Sequence, residues 1–142
     1  MKFIFVLIFL FFNNFFFADQ SPDGNQIAYL LNSNGNSHIF ISNADGTNSK
    51  KISKAQGDDY NPAWSPLADT RAFEKKEGGK SYIGVMDLDG NNERMIAFGH
   101  LVKNPFWSKD GKQIFFSEID KDGNIKLYKV DFTGYNLTLI SK

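Results

Sequence analysis

The chain has 142 residues, with 16 basic and 16 acidic side chains, two histidines and no cysteine. That length suits one domain with a modest core. Balanced charge argues against a strongly basic nucleic-acid face, and the lack of Cys excludes a disulfide framework, a thiolate metal site and a cysteine nucleophile.

The opening "MKFIFVLIFLFFNNFFFADQ" holds eight of the fifteen phenylalanines within its first 17 residues. One Lys precedes an apolar run from Phe3 to Phe12, and Ala18 follows. A positive start, a short apolar centre and a small residue near the exit have the form of a secretory signal peptide. The run is too short for a standard membrane span and is broken by Asn13 and Asn14. Residues 1–18 are therefore read as a signal peptide cleaved after Ala18, with an uncleaved anchor as the alternative. Phe16, at the minus-three position, is not the usual small residue.

From there the chain repeats itself. "SPDGNQIAY" at Ser21, "SPLADTRAF" at Ser65 and "SKDGKQIFF" at Ser108 align without gaps at spacings of 44 and 43. Gly46, Gly90 and Gly134 recur at 44 and 44, as do Ile52, Ile96 and Ile140. The second and third units also share Asn-Pro-x-Trp-Ser, placing Pro62, Trp64 and Ser65 in step with Pro105, Trp107 and Ser108. The units are 19–56, 57–99 and 100–142.

Each unit reads as short strands. The first predicts "QIAYLL", "HIFISN" and "SKKIS". The second predicts "DYNPAWS", "TRAFEK", "SYIGVMD" and "ERMIAF". The third predicts "VKNPFWS", "QIFFSEI", "IKLYKVD" and "LTLIS". "HIFISN" and "IKLYKV" alternate apolar and polar positions, the period of a half-buried strand. Turns with Asn or Asp beside Gly supply the positive φ of tight hairpins. A period of 40–45 built only of strands indicates propeller blades. The fold expected is all-β, an incomplete β-propeller of about three four-stranded antiparallel blades, the first lacking its inner strand.

These phrases resemble the TolB-type, WD40-like (PD40) β-propeller repeat, whose blades read P-x-W-S-P-D-G-x-x-I-A-F, then I-Y-V-M-D-x-D-G, then R-x-L-T. The resemblance covers residues 21–142, and two motifs recur in fixed order in every copy. The second copy departs from it, with Leu67-Ala68 for Asp-Gly and Arg71 where Ile27 and Ile114 stand, which predicts a looser first turn. The third has Lys109 where Pro is usual.

In such a blade Pro fixes the inner strand and Trp fills the space beside the neighbouring blade. Trp64 and Trp107 are thus expected in the core, where loss of a fully buried indole costs roughly 3–5 kcal/mol. Three units fall short of the four to eight blades of closed propellers. An open arc leaves apolar faces and strand edges uncovered. Two copies pairing into a six-bladed ring, an arc docked on another propeller protein, and a truncated remnant are the three ways out.

The residues offer no catalytic set. His38 and His100 lack metal-ligand spacing, and no G-x-S-x-G elbow is present. "DLDGNNE" and "DKDGN" lack the full EF-hand loop, and hairpin chemistry accounts for them. "GGK" at Gly78 lacks P-loop spacing. The Lys pairs at Lys50 and Lys75 read as solvated strand ends. No cofactor, metal or enzymatic activity is expected. The resemblance implies a periplasmic protein–protein interaction module of the Tol–Pal cell envelope system, with a peptidoglycan-associated lipoprotein as partner and membrane contact only through the N-terminal segment. The alternative is a propeller remnant, or a detached accessory propeller of a peptidase-like enzyme.

Overall fold

The computed structural model describes residues 18–141. The apolar N-terminal run read as a signal peptide lies outside the described residues, apart from Ala18. Twelve strands and no helix make up the described chain. They form three antiparallel four-stranded sheets, each a simple meander in chain order.

Blade 1 comprises β1 (Ala18–Gln20), β2 (Gln26–Ser33), β3 (Asn36–Asn43) and β4 (Lys50–Lys51). Blade 2 comprises β5 (Asp58–Trp64), β6 (Thr70–Glu77), β7 (Lys80–Asp87) and β8 (Arg94–Gly99). Blade 3 comprises β9 (Leu101–Trp107), β10 (Gln113–Ile119), β11 (Ile125–Asp131) and β12 (Thr138–Ser141). The sequence reading left blade 1 without an inner strand, and this is corrected: β1 pairs with β2 through Ala18–Tyr29, Asp19–Ala28 and Gln20–Ile27. A three-residue strand without the Pro-x-Trp phrase gives almost no periodic signal.

The inner strands of blades 2 and 3 each carry a bulge. Pairing slips between Tyr60 and Ala63, and again between Lys103 and Phe106. In both, the pre-proline Asn takes a left-handed conformation, with φ of 44° at Asn61 and 55° at Asn104. Asparagine tolerates that region better than most residues, and a bulge sharpens local twist. Buried Glu74 holds the two bulges together: its Oε1 accepts from the Asn61 Nδ2 at 2.5 Å and the Asn104 backbone N–H at 2.5 Å.

The core is divided into two slabs, each pressed between successive sheets. The first joins Ala28, Leu30, Ile39, Ile41 and Ile52 of blade 1 to Trp64, Phe73 and Met86 of blade 2. The second joins Ala72, Ile83, Val85, Ile96 and Ala97 of blade 2 to Val102, Ile114, Phe116 and Val130 of blade 3. Blade 2 is therefore buried on both faces. The arrangement is an unclosed arc.

Candidate functional site

The repeated residues meet at the seams between blades. The Trp64 indole Nε1 donates to the Asp19 carbonyl at 3.1 Å, and the Trp107 Nε1 donates to the Ala63 carbonyl at 3.0 Å. Each ring thus reaches back to the inner strand of the preceding blade. Trp64 is buried; Trp107, expected in the core, is only half-buried. The reason is the residue above the ring. Arg71 lays its guanidinium 4.0 Å from the Trp64 centroid, whereas the residue in step with it in blade 3 is Ile114, and Trp107 meets Phe132 at 6.4 Å. Pro62 and Pro105 are buried at the bulges.

The repeated glycines serve the seams as well as the turns. All three take positive φ. A Cβ at Gly90 would stand 1.9 Å from the Ile52 carbonyl oxygen, and one at Gly134 would meet Ile96 at 3.7 Å. Gly46 has open space around it. Ser65 and Ser108 close the first turn of their blades, each backbone N–H donating across the turn at 2.9 Å, to Thr70 and Gln113. The second copy's turn was expected to be looser, and this is corrected. Its backbone bonds match those of the other copies, with the Ala68 N–H donating to the Ser65 carbonyl at 2.9 Å. The departure appears instead as Ala68 at φ 59° and as loss of the Ser–Asp bond that Ser21–Asp23 and Ser108–Asp110 make at 2.6 Å.

The Asp-rich turns are closed by their own carboxylates. Asp89 accepts from the Asn91 N–H at 3.0 Å, and Asp120 from the Asp122 and Asn124 N–H groups at 3.0 and 2.9 Å. Backbone and side-chain donors hold these carboxyls below the usual range, and the side chain of Lys126 does the most for Asp120. No cluster of three potential metal-ligating side chains occurs among the described residues.

Sequence reasoning missed the most concentrated polar chemistry, which lies in the first seam. Lys75, read as a solvated strand end, is buried with Asp59. Its Nζ stands 2.9 Å from Asp59 Oδ1 and 3.1 Å from Glu93 Oε1. His38 Nδ1 lies 3.7 Å from Asp59 Oδ2, with the Ser53 hydroxyl 3.5 Å from the same nitrogen. Strand alternation explains Lys75: it shares a face of β6 with Arg71 and Phe73, and that face looks into blade 1. Its neighbour Lys76 points to solvent, as do Lys50 and Lys51.

Two carboxylates share one ammonium, so the cluster carries excess negative charge. Burial pushes the Asp59 carboxyl up, with Lys75 pulling it back only in part. Burial works against the Lys75 ammonium, yet its bonds to Asp59 and Glu93 prevail and raise it. Asp59 Oδ2 has no hydrogen-bond partner, nor do the Nε and Nη2 of Arg71. Burial pushes the Arg71 guanidinium down to about 10. A cleft of about 600 Å³ opens beside this cluster, with His38, Lys51, Lys54, Gly57 and Lys76 in its lining.

Three meandering sheets packed face to face, with an indole bonded to the preceding blade at each seam, define a β-propeller segment. The family profile described as the TolB β-propeller domain (PD40) matches residues 14–142, and the chain belongs to that family. It is 37% identical over 92 residues to a Tol-Pal system protein TolB of Wolbachia from Drosophila simulans. That match covers 65% of this chain but only 22% of the relative. The solved structure of a TolB from Agrobacterium tumefaciens superposes with a TM-score of 0.77 at 22% identity, over 88% of this chain and 45% of that one. The fold alone extends further: a prolyl endopeptidase structure superposes at a TM-score of 0.71 and 15% identity, over 91% of this chain and 22% of that one. No helix among the described residues is long and apolar enough to cross a membrane.

Proposed function

We propose that the chain is a non-enzymatic protein-interaction module of the periplasm, acting in the Tol–Pal cell envelope system with a peptidoglycan-associated lipoprotein as partner. Membership of the TolB propeller family supports the system. The observation that carries the interaction role is the exposed apolar surface of blade 3. Phe106, Ile125, Tyr135, Leu137 and Ile140 are all exposed there. Apolar side chains exposed in this number on one blade offer surface for a partner to cover. Export follows if residues 1–18 are removed as a signal peptide; Asp19, which bonds Trp64 from both its carbonyl and its carboxylate, then stays on the mature chain. The test is recovery of the exported chain from envelope extracts with the lipoprotein bound. Failure to recover that protein, in an extract where the lipoprotein is detectable, counts against the reading.

A second reading is self-association into a six-bladed ring. The glycine contacts favour it. Ile52 meets Gly90 and Ile96 meets Gly134, which leaves Ile140 exposed and Gly46 unfilled as the matching pair for a second copy. Light scattering of the purified chain decides this, and a monodisperse monomer excludes it.

A further inference from the structure

We propose that a second copy of this chain covers the open face of blade 3 with its own blade 1, and that the stacked pair Phe106–Phe115 fills the place of the indole that blade 1 lacks. This joint rests on the ring reading above and fixes which side chains would close it.

In both seams of the arc the indole lands on one cross-strand pair of the blade before it. Trp64 donates to the carbonyl of Asp19, whose partner across the sheet is Ala28. Trp107 donates to the carbonyl of Ala63, whose partner is Ala72. Ala28 and Ala72 are fully buried in the seams that these indoles close. In a close-packed seam, a methyl group at that place leaves room for a ring. The pair in step in blade 3 is Phe106–Phe115. Its rings stack at 5.1 Å with 11° between their planes, and Phe106 is 52% exposed. Blade 3 has thus filled its own socket. A following blade that brought a tryptophan would meet two phenyl rings in the indole's place.

Blade 1 carries the matching loss. Gln20 pairs with Ile27 where Trp64 pairs with Arg71 and Trp107 with Ile114. Its side chain is exposed and donates to the Gly24 carbonyl at 2.9 Å within its own turn. The unit short of an indole therefore suits the unit whose socket is full. Paired changes of large for small and small for large keep the volume of a packed core. The outer contact agrees. Ile140 is 44% exposed, and Gly46 has open space for it, as Gly90 takes Ile52 and Gly134 takes Ile96 in the seams already closed. Between these points Leu127 stands in step with Ile39 and Ile83, and Lys129, in step with Ile41 and Val85, brings the one charge. A two-fold pairing makes the joint twice, blade 3 of each copy against blade 1 of the other.

Analytical ultracentrifugation of the purified chain gives the dimer dissociation constant, and a size swap tests the joint. Gln20→Trp should weaken the dimer about tenfold by driving an indole into Phe106 and Phe115. Phe106→Ala with Phe115→Ala should weaken it by about as much through lost contact. All three substitutions together should recover most of the loss, because the joint then repeats the first two seams. That recovery separates a broken joint from a broken fold, since a misfolded blade 1 is not repaired by changes in blade 3. Phe98→Ala, at a residue 80% exposed on the outer strand of blade 2, should leave the constant unchanged. A monomer at every concentration removes the ring reading and this joint with it. A dimer that ignores the Gln20 and phenylalanine substitutions, is not recovered in the triple variant, or responds as strongly to Phe98→Ala overturns this joint alone and leaves the ring to other surfaces.

Discussion

The two seams are built from the same repeat yet sealed by different chemistry. The second is mainly apolar, with Val102, Ile114 and Val130 against Ile83, Val85 and Ile96, and its buried polar side chains, Glu74 and Ser81, bond the backbone of blade 3 at Asn104 and Val102. The first places Asp59, Arg71 and Lys75 in the same layer as Phe73 and Trp64. In alignment Val102 stands for Asp59 and Ile114 for Arg71, so the architecture accepts either kind of side chain at those places. What changes is the cost of an error. An apolar seam loses contact area when altered, whereas a seam of paired charges exposes the partner left behind. The polar seam is also the one beside which the cleft opens.

That contrast can be broken by deleting the shared cation. Lys75→Met leaves Asp59 and Glu93 buried without compensation, and a loss of about 3–5 kcal/mol is expected in urea unfolding at neutral pH. The loss should shrink at pH 5. A carboxyl whose folded pKa is raised above 3.8 contributes stability that is present below that value and lost as pH rises through the folded value. Removing Lys75 raises Asp59 further, so acid should restore part of the deficit. A deficit equal at both pH values would mean that the carboxylates are not the cause.

The tryptophans sharpen the comparison. Trp64→Ala should cost roughly 3–5 kcal/mol, and Trp107→Ala, from a half-buried site, about half as much. Equal losses would show that the Arg71 roof contributes nothing to the burial of Trp64. Converting one seam toward the other comes next. Arg71→Ile removes a buried guanidinium with two unsatisfied nitrogens, but also frees the Leu88 carbonyl, which accepts from its Nη1 at 2.8 Å. A net gain of about 1–2 kcal/mol is expected in thermal or urea unfolding, and a loss would show the cation–π contact to be dominant. The smallest effect lies outside the seams. Ala68→Gly relieves a left-handed alanine and should stabilise blade 2 by about 1 kcal/mol; no change in the urea midpoint would mean that the turn carries no strain.

The blades were legible because turn residues recur at fixed intervals and the strands between them alternate. β1 was not, since three residues carry no period and the Pro-x-Trp phrase is missing from them. The first-seam cluster was hidden for a different reason. In a sheet buried on both faces, alternation no longer separates inside from outside, so Lys75 beside Lys76 looks like a surface pair. The usable signal was parity: Arg71 and Lys75 are in phase with Phe73, an obvious core residue. Asp59 offered no such clue, because the bulge at Asn61 shifts the phase of β5 before Trp64. Nor could the sequence show that an irregular crossing at 52–57 would leave a cleft.

The contacts between adjacent blades reach back to the preceding unit: an indole donates to the previous inner strand, 45 residues back from Trp64 and 44 from Trp107, and a turn glycine sits against Ile52 or Ile96 of the unit before. The second and third units therefore each bring the fastening for their predecessor, and the first and second the socket for their successor. Adding or removing a whole unit preserves that grammar, whereas a cut within a unit strands a fastener without its socket. Such a chain can change length by duplication without inventing a new joint.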